Sequence, residues 1–105
     1  MRVEVTVDRP LGSLHPRHGF RYEVNDGFIP DTLAPDGEAL DAYLLGIAEP
    51  VSCGAGVAIA ILHRADDDDD KLVVVPYGTS LSDAEIMRAV HFQEQFFESC
   101  VVRSV

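Results

Sequence analysis

The stretch DGEALDAY at 36–43 sets Asp36, Glu38 and Asp41 behind a Pro-Asp-Gly turn. Carboxylates so spaced supply the oxygen donors that hard divalent cations require, and Mg2+ accepts them only in near-octahedral geometry. Side chains alternate along a strand, so all of these face one way only if the turn bends, a bend that Gly37 permits. The competing use is a solvated turn leading into a strand. A second acidic stretch, RADDDDDK at 64–71, adds Asp66 through Asp70 and the chain's single lysine, Lys71. Taken alone, that run suits a hairpin tip whose charge keeps a sheet edge from pairing with other chains. Whether the two segments meet decides between these uses.

The elements that would position them read as a small β-rich domain. With 105 residues, 47% of them hydrophobic and 25% charged, the chain is long enough for one domain spanning 1–105 around one core. RVEVTVD places Val3, Val5 and Val7 on one face, the period of a half-buried strand. The segment from Asp8 to Gly19, rich in proline and glycine, reads as a loop. FRYEV at 20–24 is a short strand candidate ending at a hairpin-type NDG turn. LDAYLLGI, GVAIAILHR and KLVVVP are further strand candidates, with the aspartate run joining the last two. After residue 80 the period changes. Ser82 and Glu85 form a capping-box pattern, and the apolar spacing of Ile86, Ala89, Val90, Phe96 and Phe97 predicts a helix of about four turns. Phe92, Phe96 and Phe97 are expected in the core or on a face for a homo-oligomer, with at least two of them in the core. CVVRSV closes the chain as a last short strand. The expected fold is mainly β with one late helix, a small five- or six-stranded OB-like Greek-key barrel.

Eighteen acids against eight bases give a formal charge of −10, which argues against a nucleic-acid backbone as partner. The longest apolar run, GAGVAIAIL, falls far short of the ~20 residues a bilayer span needs, so no membrane association is expected. The first residues alternate like a strand instead of forming a signal segment, and a cytoplasmic setting is expected. Cys53 and Cys100 form no metal or redox motif and read as free thiols. The positive charge is concentrated: from Arg9 to Tyr22 there is no acid, and Arg9, Arg17, Arg21, His15 and His18 all fall there. His15 and His18 have the spacing of a zinc pair, although loop polarity accounts for them as well.

GFIPDTLAPDGEALDAYLL resembles the signature region of the soluble inorganic pyrophosphatases, whose pattern is Gly-Tyr-Ile followed by Asp-Gly-Asp-Pro-hydrophobic-Asp. GVAIAILHRADDDDDKLVVVP is similar to that family's strand, acidic loop and Lys-Leu-Val-x-Val-Pro segment. VHFQEQFFE is similar to its late helix, and the three matches fall in the family's order over roughly residues 22–98.

The resemblance implies that Asp36 and Asp41 are metal-ligand aspartates at the catalytic centre, with Glu38 where the family's central aspartate sits. Asp66, with Asp69 or Asp70, would complete the metal site. Lys71 matches a phosphate-contacting lysine, and Tyr22 the tyrosine ahead of the Gly-Tyr-Ile element. The implied cofactor is Mg2+, with Mn2+ as an alternate, and the implied partner is a small anionic phosphate. Some positions depart from the pattern. Ala39 replaces a proline, Asp26 a tyrosine, and Phe96 and Phe97 a Tyr-Lys pair. GSLHPRHGFR stands in place of the family's early Lys-Tyr-Glu element, leaving Arg17 and Arg21 as substitute phosphate donors. The expected activity is Mg2+-dependent hydrolysis of pyrophosphate. The alternatives are an altered or inactive pyrophosphatase-fold protein that binds another small phosphate or divalent cations, and a structural barrel whose acids only solubilise it.

Overall fold

The computed structural model describes residues 2–34, 37–65 and 70–103. Asp36, Asp66 and Asp69, three of the expected ligands, lie outside the described residues. The elements are β1 (Arg2–Arg9), β2 (Asn25–Ile29), β3 (Leu40–Leu44), β4 (Cys53–Arg64), β5 (Lys71–Val75), α1 (Asp83–Glu94) and β6 (Ser99–Val102). The sheet runs β1-β2-β3-β5-β4-β6, and β1 also pairs with β4. That last pairing closes five strands into a barrel and leaves β6 appended to β4. All pairings are antiparallel except β3 with β5, which run parallel. The OB-like expectation is met.

Alternation along the strands divides the apolar side chains into two clusters. Val5, Val7, Ile29, Ala42, Leu44 and Val74 fill the barrel, joined at its edge by Val3. Tyr43, Leu45, Leu62, Val73 and Val75 face the other way and pack against Ile86, Val90 and Phe92 of the helix. Burying each such Leu, Ile or Val contributes about 2 kcal/mol, so the helix is held by its apolar stripe more than by helix propensity. Its start is set by the capping box. The Glu85 N–H donates to Ser82 Oγ at 3.1 Å, and the Ser82 N–H donates to Glu85 Oε1 at 2.9 Å.

Two expectations are corrected. FRYEV is not a strand; only an isolated bridge joins Leu14 to Arg21. The strand is instead Asn25–Ile29, so the residues expected to turn are paired on both sides. Their polarity misled because it is satisfied internally. Asn25 Oδ1 accepts from the Leu11 and Val51 N–H groups, and Nδ2 donates to the Glu49 carbonyl. Gly27 is there for proximity: a Cβ would lie 1.9 Å from the Thr6 carbonyl oxygen. The helix is also shorter than expected. It ends at Glu94, and Phe96 and Phe97 follow in a tight turn whose N–H groups donate to the Gln93 and Glu94 carbonyls. Phe92 is buried, Phe97 half-buried and Phe96 61% exposed, so the three aromatics do not share one core role.

Candidate active site

Asp41 is the second residue of β3 and Lys71 the first of β5, and the two are direct partners in the parallel ladder. The first residues of both strands therefore lie at the same end of the barrel. Parallel neighbours start at one end, so this proximity follows from the strand order and not from either acidic sequence. Asp41 shares its strand face with Tyr43, and Lys71 shares its face with Val73, on the side covered by the helix.

A cleft of about 290 Å3 opens on this side, with Asp8, Asp26, Asp41, Arg9, Arg64 and Lys71 as its charged lining. Aromatic side chains and two histidines (Phe20, Tyr22, Phe96, Phe97, His15 and His18) form the rest of its wall, with Gln93 and Gly27. Bulges in two strands aim several of these groups. The β1–β2 register slips between Val7 and Arg9, so Asp8 and Arg9, neighbours in sequence, both line the cleft. The β4–β5 register slips between Ala58 and Ala60. Beyond that slip Ala60, Leu62 and Arg64 join the helix-facing side that Val57 and Ile59 occupy before it.

Two buried ion pairs form the cleft floor. Lys71 Nζ donates to both carboxylate oxygens of Asp26, each at 2.8 Å. Arg64 grips Glu94 with two bonds, Nε to Oε1 at 3.0 Å and Nη2 to Oε2 at 2.5 Å. Tyr43 joins the pairs. Its hydroxyl donates to Glu94 Oε2 at 2.6 Å, and Lys71 Nζ lies 4.1 Å from its ring centroid. Gln93 donates to the Tyr43 hydroxyl and Ser99 to Glu94 Oε1. Among the described residues, no buried side-chain polar atom lacks a partner.

Burial and partners set the protonation states. Burial pushes the Asp26 carboxyl up, opposed by the Lys71 ammonium. Burial also opposes ionisation of Glu94, but the hydrogen bonds from Arg64, Ser99 and Tyr43 hold it below the ordinary carboxylate value. Burial raises the Tyr43 phenol, with Asp26 and Glu94 adding to the effect, so it stays protonated. Tyr22 is raised by burial and then by Asp26. His15 is lowered by burial and by the nearby His18, Arg9 and Arg17 charges. Its Nδ1 accepts from the Arg17 and His18 N–H groups at 3.1 Å, which assigns the ring proton of the neutral form to Nε2.

Asp41, Lys71 and Tyr22 thus come together in the cleft. Glu38 lies beside it, lining a neighbouring cavity with Asp8 and Asp41, in a bend allowed by Gly37 at φ 87°. Asp70 is exposed, with Oδ1 2.8 Å from His63 Nδ1. Arg17 and Arg21 are exposed and line no part of the cleft; Arg21 donates to the Gly12 carbonyl at 2.9 Å. Arg9, His15 and His18 of the same acid-free segment line it instead. Among the described residues, no three His, Cys, Asp or Glu side chains are gathered to hold a metal ion. Sequence inspection missed Asp8, Arg64 and Glu94 as parts of the site. For Arg64 a signal exists: it is the one charged side chain at the end of an otherwise apolar run.

This fold and cleft define an OB-type barrel with one covering helix and a charged site at the start of its parallel strand pair. The family model for inorganic pyrophosphatase matches residues 4–100, and the chain belongs to the inorganic pyrophosphatase family. An inorganic pyrophosphatase of Ralstonia nicotianae is 34% identical over 115 aligned positions, covering 90% of this chain and 65% of the relative. One from Pseudomonas aeruginosa is 41% identical over 61 positions, 53% of this chain. The chain spans about a third (34%) of that relative's length. In fold, the crystal structure of inorganic pyrophosphatase from Ehrlichia chaffeensis superposes with a TM-score of 0.76 at 17% identity, covering 97% of this chain and 85% of that one. The Coxiella burnetii pyrophosphatase gives 0.66 at 22% identity, covering 95% and 83%.

Proposed function

We propose that this chain hydrolyses pyrophosphate with the help of a divalent cation, Mg2+ in the first instance. The observation that supports this reading is the pairing of Asp41 with Lys71, which sets the described ends of the two segments side by side. The donors on offer are carboxylate oxygens, the ligand class that Mg2+ and Mn2+ prefer. Asp41 is the ligand within the described residues, with Glu38 beside it. Asp36, Asp66 and Asp69 are the further candidates of the same segments, and Asp70 joins them only by leaving His63. A bound cation there supplies neutralisation of the substrate and acidification of a water. The chain's own groups do the remaining work. Lys71 and Arg64 place cations on the cleft floor, each paired with a carboxylate of Asp26 or Glu94, and Arg9 adds a third cation to its lining. Phosphate release from pyrophosphate, with and without Mg2+, tests the reading. Metal-dependent release that Asp41→Asn abolishes supports it, and no release under any metal overturns it.

A second reading is favoured by one observation. Lys71 is held at both oxygens of Asp26, so its ammonium is already partnered within the protein. On that reading the cleft binds a phosphoanion or a divalent cation without rapid turnover. Calorimetric binding of pyrophosphate in the absence of hydrolysis distinguishes it from the first.

A further inference from the structure

Phe96 stands at the cleft wall 61% exposed. It belongs to a ring array. His18 and Phe20 stack on it with centroids 6.1 Å and 5.9 Å away. His15 lies 4.7 Å from Phe20 and 4.8 Å from His18. Phe92 meets Phe20 edge-on at 5.9 Å and anchors the array to the helix. Phe97 carries the Arg64 guanidinium 3.8 Å from its ring centroid. The cleft is thus divided. Its floor holds Lys71 and Arg64, paired with Asp26 and Glu94, with Arg9 also in the lining, and its rim holds stacked rings. At about 290 Å3 it also approaches the size range of sites for organic ligands.

We propose that the cleft also takes a phosphate or diphosphate ester carrying a planar aromatic ring, of which a nucleoside diphosphate is the chosen example. The phosphate end lies toward Lys71, Arg64 and Arg9, and the ring stacks on Phe96. This rests on the reading of the cleft as a phosphoanion site. Stacking on an aromatic side chain tolerates any base, because every base presents a π-face, so the preference is for a ring and not for one nucleobase.

The test is calorimetric binding, with and without Mg2+, of five probes: pyrophosphate, methyl diphosphate and adenosine 5′-diphosphate, with phenyl phosphate set against methyl phosphate. Adenosine diphosphate is expected to bind about tenfold tighter than methyl diphosphate, the effect of one base stack. Phe96→Ala, at an exposed position where folding is checked by circular dichroism, is expected to remove that advantage, so that adenosine diphosphate and methyl diphosphate bind alike. The adenine proton resonances should shift upfield with the native protein and not with Phe96→Ala. A ring advantage for phenyl phosphate alone supports an aryl ester instead of a nucleotide as the source of the same chemistry. Methyl diphosphate binding as tightly as adenosine diphosphate and methyl phosphate as tightly as phenyl phosphate, or an unaltered ring advantage in Phe96→Ala, overturns this inference and leaves the phosphoanion site standing. Binding of none of the probes overturns both.

Discussion

Lys71 and Asp26 form a closed pair: the ammonium donates to both carboxylate oxygens at 2.8 Å, and the two side chains are only 6% and 8% exposed. Removing two charges from water is costly, and their attraction offsets this only while both are present. Asp26→Asn is therefore expected to destabilise the fold by about 3–5 kcal/mol, because it leaves a buried ammonium without a counter-charge. Urea denaturation measures this. Lys71→Met combined with Asp26→Asn should recover most of the loss. In Asp26→Asn the released ammonium should also bind pyrophosphate more tightly, and equal affinity in the two proteins would refute Asp26 as a competitor.

Glu94 predicts the acid limb of stability. Its folded pKa lies below the ordinary 4.5 despite burial, because Arg64, Ser99 and Tyr43 all donate to it. Below about pH 5 the unfolded chain then binds more protons at this group than the folded one, so stability rises with pH. The contribution is full above 4.5 and is lost as pH falls toward the folded value. Asp26, raised above its ordinary 3.8, acts in the opposite sense: its share falls as pH rises past that value. Denaturant midpoints between pH 3 and pH 6 in Glu94→Gln should lose the rising limb, with stability at neutral pH reduced as well because a charged partner of buried Arg64 is gone. A limb of unchanged steepness would exclude Glu94 as its source.

Asp41 is expected to carry the metal response. A cation that binds only the folded chain raises the melting temperature by mass action. Millimolar Mg2+ or Mn2+ should raise it by several degrees, and Asp41→Asn should abolish the shift while Asp70→Asn reduces it less. This readout does not depend on turnover. No shift in the native protein would remove the shared metal site.

Gly27 is expected to tolerate no side chain. A Cβ there meets the Thr6 carbonyl oxygen at 1.9 Å, backbone against backbone, so no rotamer change relieves it. Gly27→Ala should lower stability by more than about 3 kcal/mol or prevent folding. A melting temperature close to the native protein's would mean that β1 and β2 can separate without harm.

Much of the barrel is legible in local pattern because local physics sets it. The period of two in Val3, Val5 and Val7 places those side chains inside whatever the strand pairs with. The Ser82–Glu85 capping box starts the helix through groups three residues apart. The order of the acidic signatures identified the family without any coordinates. The strand at Asn25–Ile29 was not legible, because buried Asn25 and Asp26 are satisfied by groups from Leu11, Glu49, Val51 and Lys71, distant in sequence. The cleft itself was decided by tertiary structure. Along a continuous strand Arg64 would face away from the side that Val57 and Ile59 cover, and Asp8 and Arg9 would point to opposite faces. The slips at Ala58/Ala60 and Val7/Arg9 bring them to the cleft. A one-residue slip reverses every later side chain, and only the pairing with the partner strand determines whether it occurs.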